Sequence, residues 1–188
     1  MPRTLDVTLN ARLRPMDRGD RYEDPLVEAF EEADIDCEPT GGGSLLSSDH
    51  EPTLCDFSVE VDCDADTAVS IAVAALEEAG APKGSRLQVD EGDTLGFGVT
   101  EGVAVYLNGT DLPPEVYAEG DVNVLVEELR SHLGQEGHLQ SWWQGSRETA
   151  LYFYGPSARR IQDLAGEVLP RFPLAGRCRV VPLPLTLP

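Results

Sequence analysis

Lysine is almost missing from this chain. Lys83 stands alone beside thirteen arginines, and acidic residues outnumber the two basic types together by 34 to 14. The resulting formal charge of −20 repels phosphate, which excludes nucleic acid and anionic membranes as partners. Long apolar runs are also missing, and nothing approaches the roughly eighteen residues that a membrane-spanning helix requires. The opening segment MPRTLDVTLNARLRP lacks the continuous apolar stretch of a secretory signal and alternates like a strand, so the protein is expected in the cytoplasm. The four cysteines, Cys37, Cys55, Cys63 and Cys178, contain no C-x-x-C pair, which removes the usual framework for zinc. Cys55 and Cys63 share one predicted strand. At about 3.3 Å per residue they lie roughly 26 Å apart, far beyond the about 7 Å that a disulfide spans between Cα atoms. Small buried hydrophobes in a reducing compartment is the reading that remains.

Catalytic signatures are equally scarce. The three histidines, His50, His132 and His138, fall in a loop, late in a helix and at the start of a strand, with no Ser-His-Asp or Cys-His grouping visible. Gly41-Gly42-Gly43 follows a helix and leads to no Gly-Lys-Ser/Thr, so a phosphate loop is excluded and a bulged or edge strand is expected. Gly96-Phe97-Gly98 opens no helix and is no dinucleotide fingerprint. No cofactor and no metal site is expected.

What the chain does have is alternation. In LCDFSVEVDC, Leu54 to Cys63, the side chains of Cys55, Phe57, Val59, Val61 and Cys63 point one way. Asp56, Ser58, Glu60 and Asp62 point the other. This is the period-2 signature of a strand half buried on an apolar side. Ahead of it, Thr4 to Leu13 alternates similarly and stops before Pro15. Asp24-Pro25 reads as a helix start with the stripe Tyr22, Leu26, Phe30 and Ala33, and Ile35 to Leu46 reads as a second strand. After it, Asp64 or Asp66 caps a helix that Gly80 and Pro82 end, and Ser85 to Asp90 is a last strand. Asp90 to Thr100, rich in Gly and acids, reads as a connector.

The same order then recurs: a strand over Gly102 to Asn108 and a helix capped by Asp121. A hairpin of His138 to Gln144 and Thr149 to Tyr154 follows, then a helix capped by Ser157 and a strand from Arg177 to Val181. The chain therefore reads as α+β, two tandem ferredoxin-like (βαββαβ) units over 1–92 and 99–188. Each is expected to be a four-stranded antiparallel sheet with helices on one face.

The two predicted free sheet faces differ. The first carries Asp6, Asp56, Glu60 and Asp62, and residues 1–100 hold −16 of the charge against −4 for the remainder. Glu60 and Asp62 are about 6–7 Å apart by strand geometry. Paired carboxylates at such spacing can serve acid/base chemistry, but an open face offers neither a cleft nor a raised pKa, so no catalytic residue is assigned. The second face carries Tyr106, Tyr152 and Tyr154, with Trp142 or Trp143 from the neighbouring strand. Aromatics there resemble the base-stacking face of the RNA-recognition motif, yet ETALYFYG lacks that motif's leading basic residue and first glycine. A contact between the units, or between two copies in a homodimer, accounts for Tyr106, Trp142, Tyr152 and Tyr154 more simply.

Composition and motif together point first to an acidic protein-binding module. Its most concrete form is a bacterial immunity or inhibitor protein whose Asp6, Asp56, Glu60 and Asp62 mask a basic toxin or nuclease surface. The alternative is an enzyme or small-molecule-binding protein with a pocket between the two units.

Overall fold

The computed structural model describes residues 2–187 and divides into two units, each α+β with one antiparallel sheet. The first comprises the chain up to Ser48, Pro52–Thr100 and the tail from Pro184; the second comprises Asp49–Glu51 and Glu101–Leu183.

In the first unit the strands are β1 (Arg3–Leu9), β2 (Cys37–Leu46), β3 (Pro52–Val61), β4 (Ser85–Val89) and β5 (Thr94–Phe97). They lie in the order β2-β3-β1-β4-β5, with every neighbour antiparallel. Register follows the alternation. Val7 faces Phe57 and Leu87, and Leu5 faces Val59 and Val89, so the apolar rows of three strands coincide. Leu26 and Phe30 of the helix Asp24–Glu32 and Ala68, Ala72 and Leu76 of the helix Ala65–Glu78 complete a core in which all are fully buried. Each large aliphatic or aromatic side chain withdrawn in this way contributes about 1.5–3 kcal/mol. Ala68 and Ala72 let the second helix approach closely.

Three departures from the sequence-based expectation have local causes. The sheet has five strands where four were predicted, because Thr94–Phe97 of the supposed connector pairs with β4 as an edge strand. The helical run begins at Pro15 and not at Asp24. We label it α1 (Pro15–Arg18), which passes through one π turn (Gly19–Glu23) into α2 (Asp24–Glu32). Arg14 bonds both carboxylate oxygens of Asp17 at 2.7 and 2.8 Å, and Arg18 pairs with Glu23, so local ion pairs hold this segment in its helical turns. Pro25 falls where the π turn has already widened the hydrogen-bond ladder, so its missing N–H interrupts little. Finally, β1 ends at Leu9. Asn10 is 8% exposed and donates to the carbonyls of Lys83 and Pro184 instead of extending the strand.

The second unit contains β6 (Glu101–Asn108), β7 (His138–Gln144), β8 (Glu148–Gly155) and β9 (Arg179–Pro182) in the antiparallel order β7-β8-β6-β9. With α3 (Ala65–Glu78) in the first unit, its helices are α4 (Pro114–Glu119), α5 (Val122–Leu133) and α6 (Ala158–Val168). Asp121 and Ser157 cap α5 and α6 as expected, accepting from Asn123 N and Arg160 N. Val103, Val105, Leu107, Leu151 and Phe153 form the sheet's contribution to the core, against Leu125, Leu129, Leu133, Ile161 and Val168 of the helices. The opposite row of the sheet is buried too. Tyr106, Tyr152 and Tyr154 are 7%, 0% and 1% exposed within a single chain.

A register shift between Leu139 and Ser141 makes Gln140 a β-bulge in β7. Before the bulge, His138 faces Tyr154; after it, Ser141 faces Tyr152, Trp142 faces Leu151 and Trp143 faces Ala150. One extra residue inverts the parity of everything that follows. Trp142, expected beside the tyrosines, therefore lies on the helix side of the sheet, and Trp143 takes the tyrosine side.

Candidate functional site

The bulge has a chemical consequence, because it hands Trp142 to a cleft. Between α5 and the β7–β8 edge of the second unit is a hollow of about 580 Å³. Leu107, Leu139 and Leu151 floor it, Val122 and Val126 form the α5 wall, and Tyr117, Leu174 and Trp142 complete the apolar surface. Trp142 keeps 39% of its surface exposed, and Val122 likewise 39%, in a unit whose other large side chains are mostly buried. The size and apolar lining match those of pockets that enclose small organic ligands.

Polar groups enter this lining at defined points. Asn108 is occupied: its Oδ1 accepts from the Thr110 and Asp111 amides, and its Nδ2 donates to Asp111. Tyr117 is fixed too, with its hydroxyl accepting from Leu112 N at 3.0 Å and donating to the Asn108 carbonyl. These two form a rigid corner under α4. Glu127 and Arg130 pair with each other at 2.9 Å on the exposed flank of α5. Among the described residues, Asn123, Gln144 and Thr149 differ, because their side chains have no protein hydrogen-bond partner. Asn123 and Gln144 are exposed and Thr149 is half-buried, so two amides and a hydroxyl border the apolar floor with their donors and acceptors open to solvent.

Glycines shape the surroundings. A Cβ on Gly120 would lie 2.4 Å from Leu174 Cγ, so its absence lets Leu174 reach the cleft. A Cβ on Gly145 would lie 2.1 Å from Trp143 Cη2, so the Trp143 ring rests against the hairpin backbone.

The tyrosine side is organised around one carboxylate. Glu51 Oε1 accepts from the Tyr106 hydroxyl at 2.6 Å and from Tyr152 at 2.8 Å. The Arg179 guanidinium lies 4.2 Å from the Tyr106 ring centroid and bonds Glu148 at 3.0 and 2.6 Å, which holds the Glu148 carboxyl below its usual range. Burial of these tyrosines is complete without a second copy of the chain. Alternation marked the tyrosines but carried no sign of Glu51, which comes from a distant loop.

On the first unit, Asp6, Asp56, Glu60 and Asp62 are all exposed. Asp6 accepts from Ser58 Oγ, its cross-strand neighbour. Glu60 and Asp62 meet Glu31, Asp36 and Glu38 around an open hollow of about 260 Å³, while Asp6 and Asp56 lie outside it. Among the described residues no group of His, Cys, Asp and Glu is arranged to hold a metal ion. Burial pushes the Cys37 thiol up to about 11, with Glu31 adding to the rise, and the Cys55 thiol up to about 12. Both therefore stay protonated and unreactive near neutrality. His132 bonds Glu167 across α5 and α6 at 2.9 Å. No helix among the described residues is long and apolar enough to cross a membrane.

No known family model matches the chain, and no curated protein matches it. Among solved structures, an unknown protein from Galdieria sulphuraria is 9% identical with a TM-score of 0.33, covering 97% of this chain and 98% of that one. A candidate glycine cleavage system transcriptional repressor is 9% identical with a TM-score of 0.31, covering 97% and 96%. The ligand-free regulatory subunit of aspartate kinase from Thermus thermophilus is 13% identical with a TM-score of 0.26, covering 88% and 92%. Likenesses at this level assign neither a family nor an activity.

Proposed function

We propose that this protein binds a small organic molecule in the cleft of its second unit, on a scaffold of two tandem ferredoxin-like units, the first extended by an edge strand. The observation that carries the reading is the pairing of a half-open Trp142 with the unpartnered side chains of Asn123, Gln144 and Thr149 around an apolar floor. Asn123 and Gln144 are exposed and Thr149 is half-buried, so their donors and acceptors face solvent beside an apolar surface of the kind that is ordinarily covered. A ligand with a flat apolar body and a polar edge covers that surface and takes up those groups at once. The lining's one carboxylate, Glu127, is ion-paired and exposed, which favours binding over catalysis.

The test is a screen of metabolites by thermal shift and tryptophan emission, repeated on Trp142→Ala. At least one compound should raise the melting temperature of the wild type and leave the variant unmoved. If none does, or if every hit acts equally on Trp142→Ala, the cleft is not the site.

A second reading rests on a separate observation, the exposure of Asp6, Asp56, Glu60 and Asp62 on the first unit. In it, this acidic surface docks a basic protein partner, as an immunity or inhibitor protein would. Association would then be fast at low salt and slow sharply as salt screens the field, over a Debye length of about 8 Å at physiological ionic strength.

A further inference from the structure

Resting on the ligand-binding reading, the chemistry of the lining narrows the class of ligand. A lipid tail or other hydrocarbon would cover the apolar floor but would strip water from the exposed Asn123 and Gln144 and the half-buried Thr149 at its rim without replacing those hydrogen bonds. An amino-acid zwitterion needs a cation for its carboxylate and an anion for its ammonium. Among the described residues the cleft has one of each sign, Arg130 and Glu127, already joined at 2.9 Å on its outer flank. A phosphorylated ligand would meet no other cationic residue in the lining and would enter against a chain charge of −20.

What remains is uncharged, planar, and edged with both donors and acceptors. A primary amide presents a donor beside an acceptor, the pattern that matches the edge of a nucleobase in two parallel hydrogen bonds. The Thr149 hydroxyl can rotate to donate or accept. An indole face is a platform on which a heteroaromatic ring stacks. We infer that the cleft takes a free nucleobase or its nucleoside, stacked on Trp142 with its polar edge on Asn123 and Gln144, and discriminates against the nucleotide.

The chain has two tryptophans, so Trp143→Phe leaves Trp142 as the only indole reporter. That variant would be titrated with adenine, guanine, cytosine and uracil, their nucleosides, the matching 5′-monophosphates, and phenylalanine as a zwitterionic control. Isothermal calorimetry on the wild type gives the same comparison should Trp143→Phe not fold. Expected is saturable quenching by at least one base or nucleoside, with its monophosphate at least about tenfold weaker. Gln144→Ala and Asn123→Ala should each weaken binding about tenfold or more, the size of one lost bidentate contact. Neither should lower the melting temperature, since neither side chain has a protein partner to lose.

Several outcomes overturn the inference. If phenylalanine or another compound from the screen binds in a Trp142-dependent manner while no base or nucleoside does, the ligand class is wrong and the cleft reading stands. If the monophosphate binds as well as the nucleoside, discrimination against charge is wrong. If nothing in the metabolite screen or this panel binds, the cleft reading and the inference fall together.

Discussion

At the scale of single residues, Glu51 joins two buried tyrosines through one oxygen. Hydrogen bonds to a charged acceptor contribute about 1.5–3 kcal/mol each. Because Glu51 is partly exposed, water can replace some of what a lost hydroxyl gave. Tyr152→Phe should therefore destabilise the second unit by about 1–2 kcal/mol. Urea unfolding followed by tryptophan emission reports on that unit, which contains both indoles. A change below about 0.5 kcal/mol would mean that the hydroxyl bond is matched by hydration in the variant. Glu148 supplies a pH test. Arg179 depresses its pKa below the ordinary 4.5, first by hydrogen bonding and then by charge. A depressed carboxylate contributes stability above its unfolded value and loses it as pH falls through the folded one. Glu148→Gln should accordingly melt below the wild type at about pH 6, and the gap should close toward about pH 3. A gap that is constant with pH would show that the Arg179 contact acts through packing and not through ionisation.

At the scale of elements, the segment after β5 depends on a glycine. Gly98 adopts φ +114°, and a Cβ there would stand 2.0 Å from the Pro82 carbonyl oxygen. The following residues are strung on that same stretch, with Val99 N and Thr100 N both donating to Ala81 O and Lys83 N to Thr100 O. Thr100 Oγ1 also donates to Gly80 O, and Gly98 N to Glu77. Gly98→Ala should cost at least about 1–3 kcal/mol from backbone strain alone, with the clash added. Circular dichroism melts would measure it. A variant as stable as the wild type would mean that Pro82 and its turn move freely, contrary to the bonds that pin them. The bulge at Gln140 is the element-scale feature that matters for binding, since it alone decides which tryptophan lines the cleft.

At the scale of the whole molecule, a charge of −20 on 188 residues is a standing source of self-repulsion. Raising ionic strength from about 10 mM to about 150 mM shortens the Debye length from roughly 30 to 8 Å, so the melting temperature should rise over that range. Asp56, Glu60 and Asp62 are exposed and outside the core. Replacing them with Asn, Gln and Asn should raise the low-salt melting temperature and bring it nearer its high-salt value. Binding in the cleft should be unaffected. A triple variant that melts lower at low salt would show that these carboxylates stabilise the fold through local contacts that outweigh repulsion.

Much of the architecture could be read without coordinates. Alternation along β1, β3, β6 and β8 requires one apolar row on each strand, and the caps Asp64 or Asp66, Asp121 and Ser157 mark helix starts, because both signals are local in the chain. The structure selects Asp64, whose carboxylate accepts from Thr67 N. The same locality explains what could not be read. Thr94–Phe97 becomes a strand through pairing with β4, and Arg18 helps to hold a helical run through Glu23 and the Gly43 carbonyl, partners that its own spacing does not reveal. The acidic residues could be placed on an open face, yet only the fold gathered Glu60 and Asp62 with Glu31, Asp36 and Glu38 while leaving Asp6 and Asp56 apart. The cleft was least legible. Asn123, Gln144 and Thr149 are unremarkable polar residues on a helix and two strands until their elements bring them around one floor, and the side Trp142 occupies turns on a single bulged residue. Sequence by itself determined which rows must be buried, since hydrophobic period is a property of neighbours along the chain. Tertiary structure decided which polar groups were left without a partner, since that depends on every element that packs nearby.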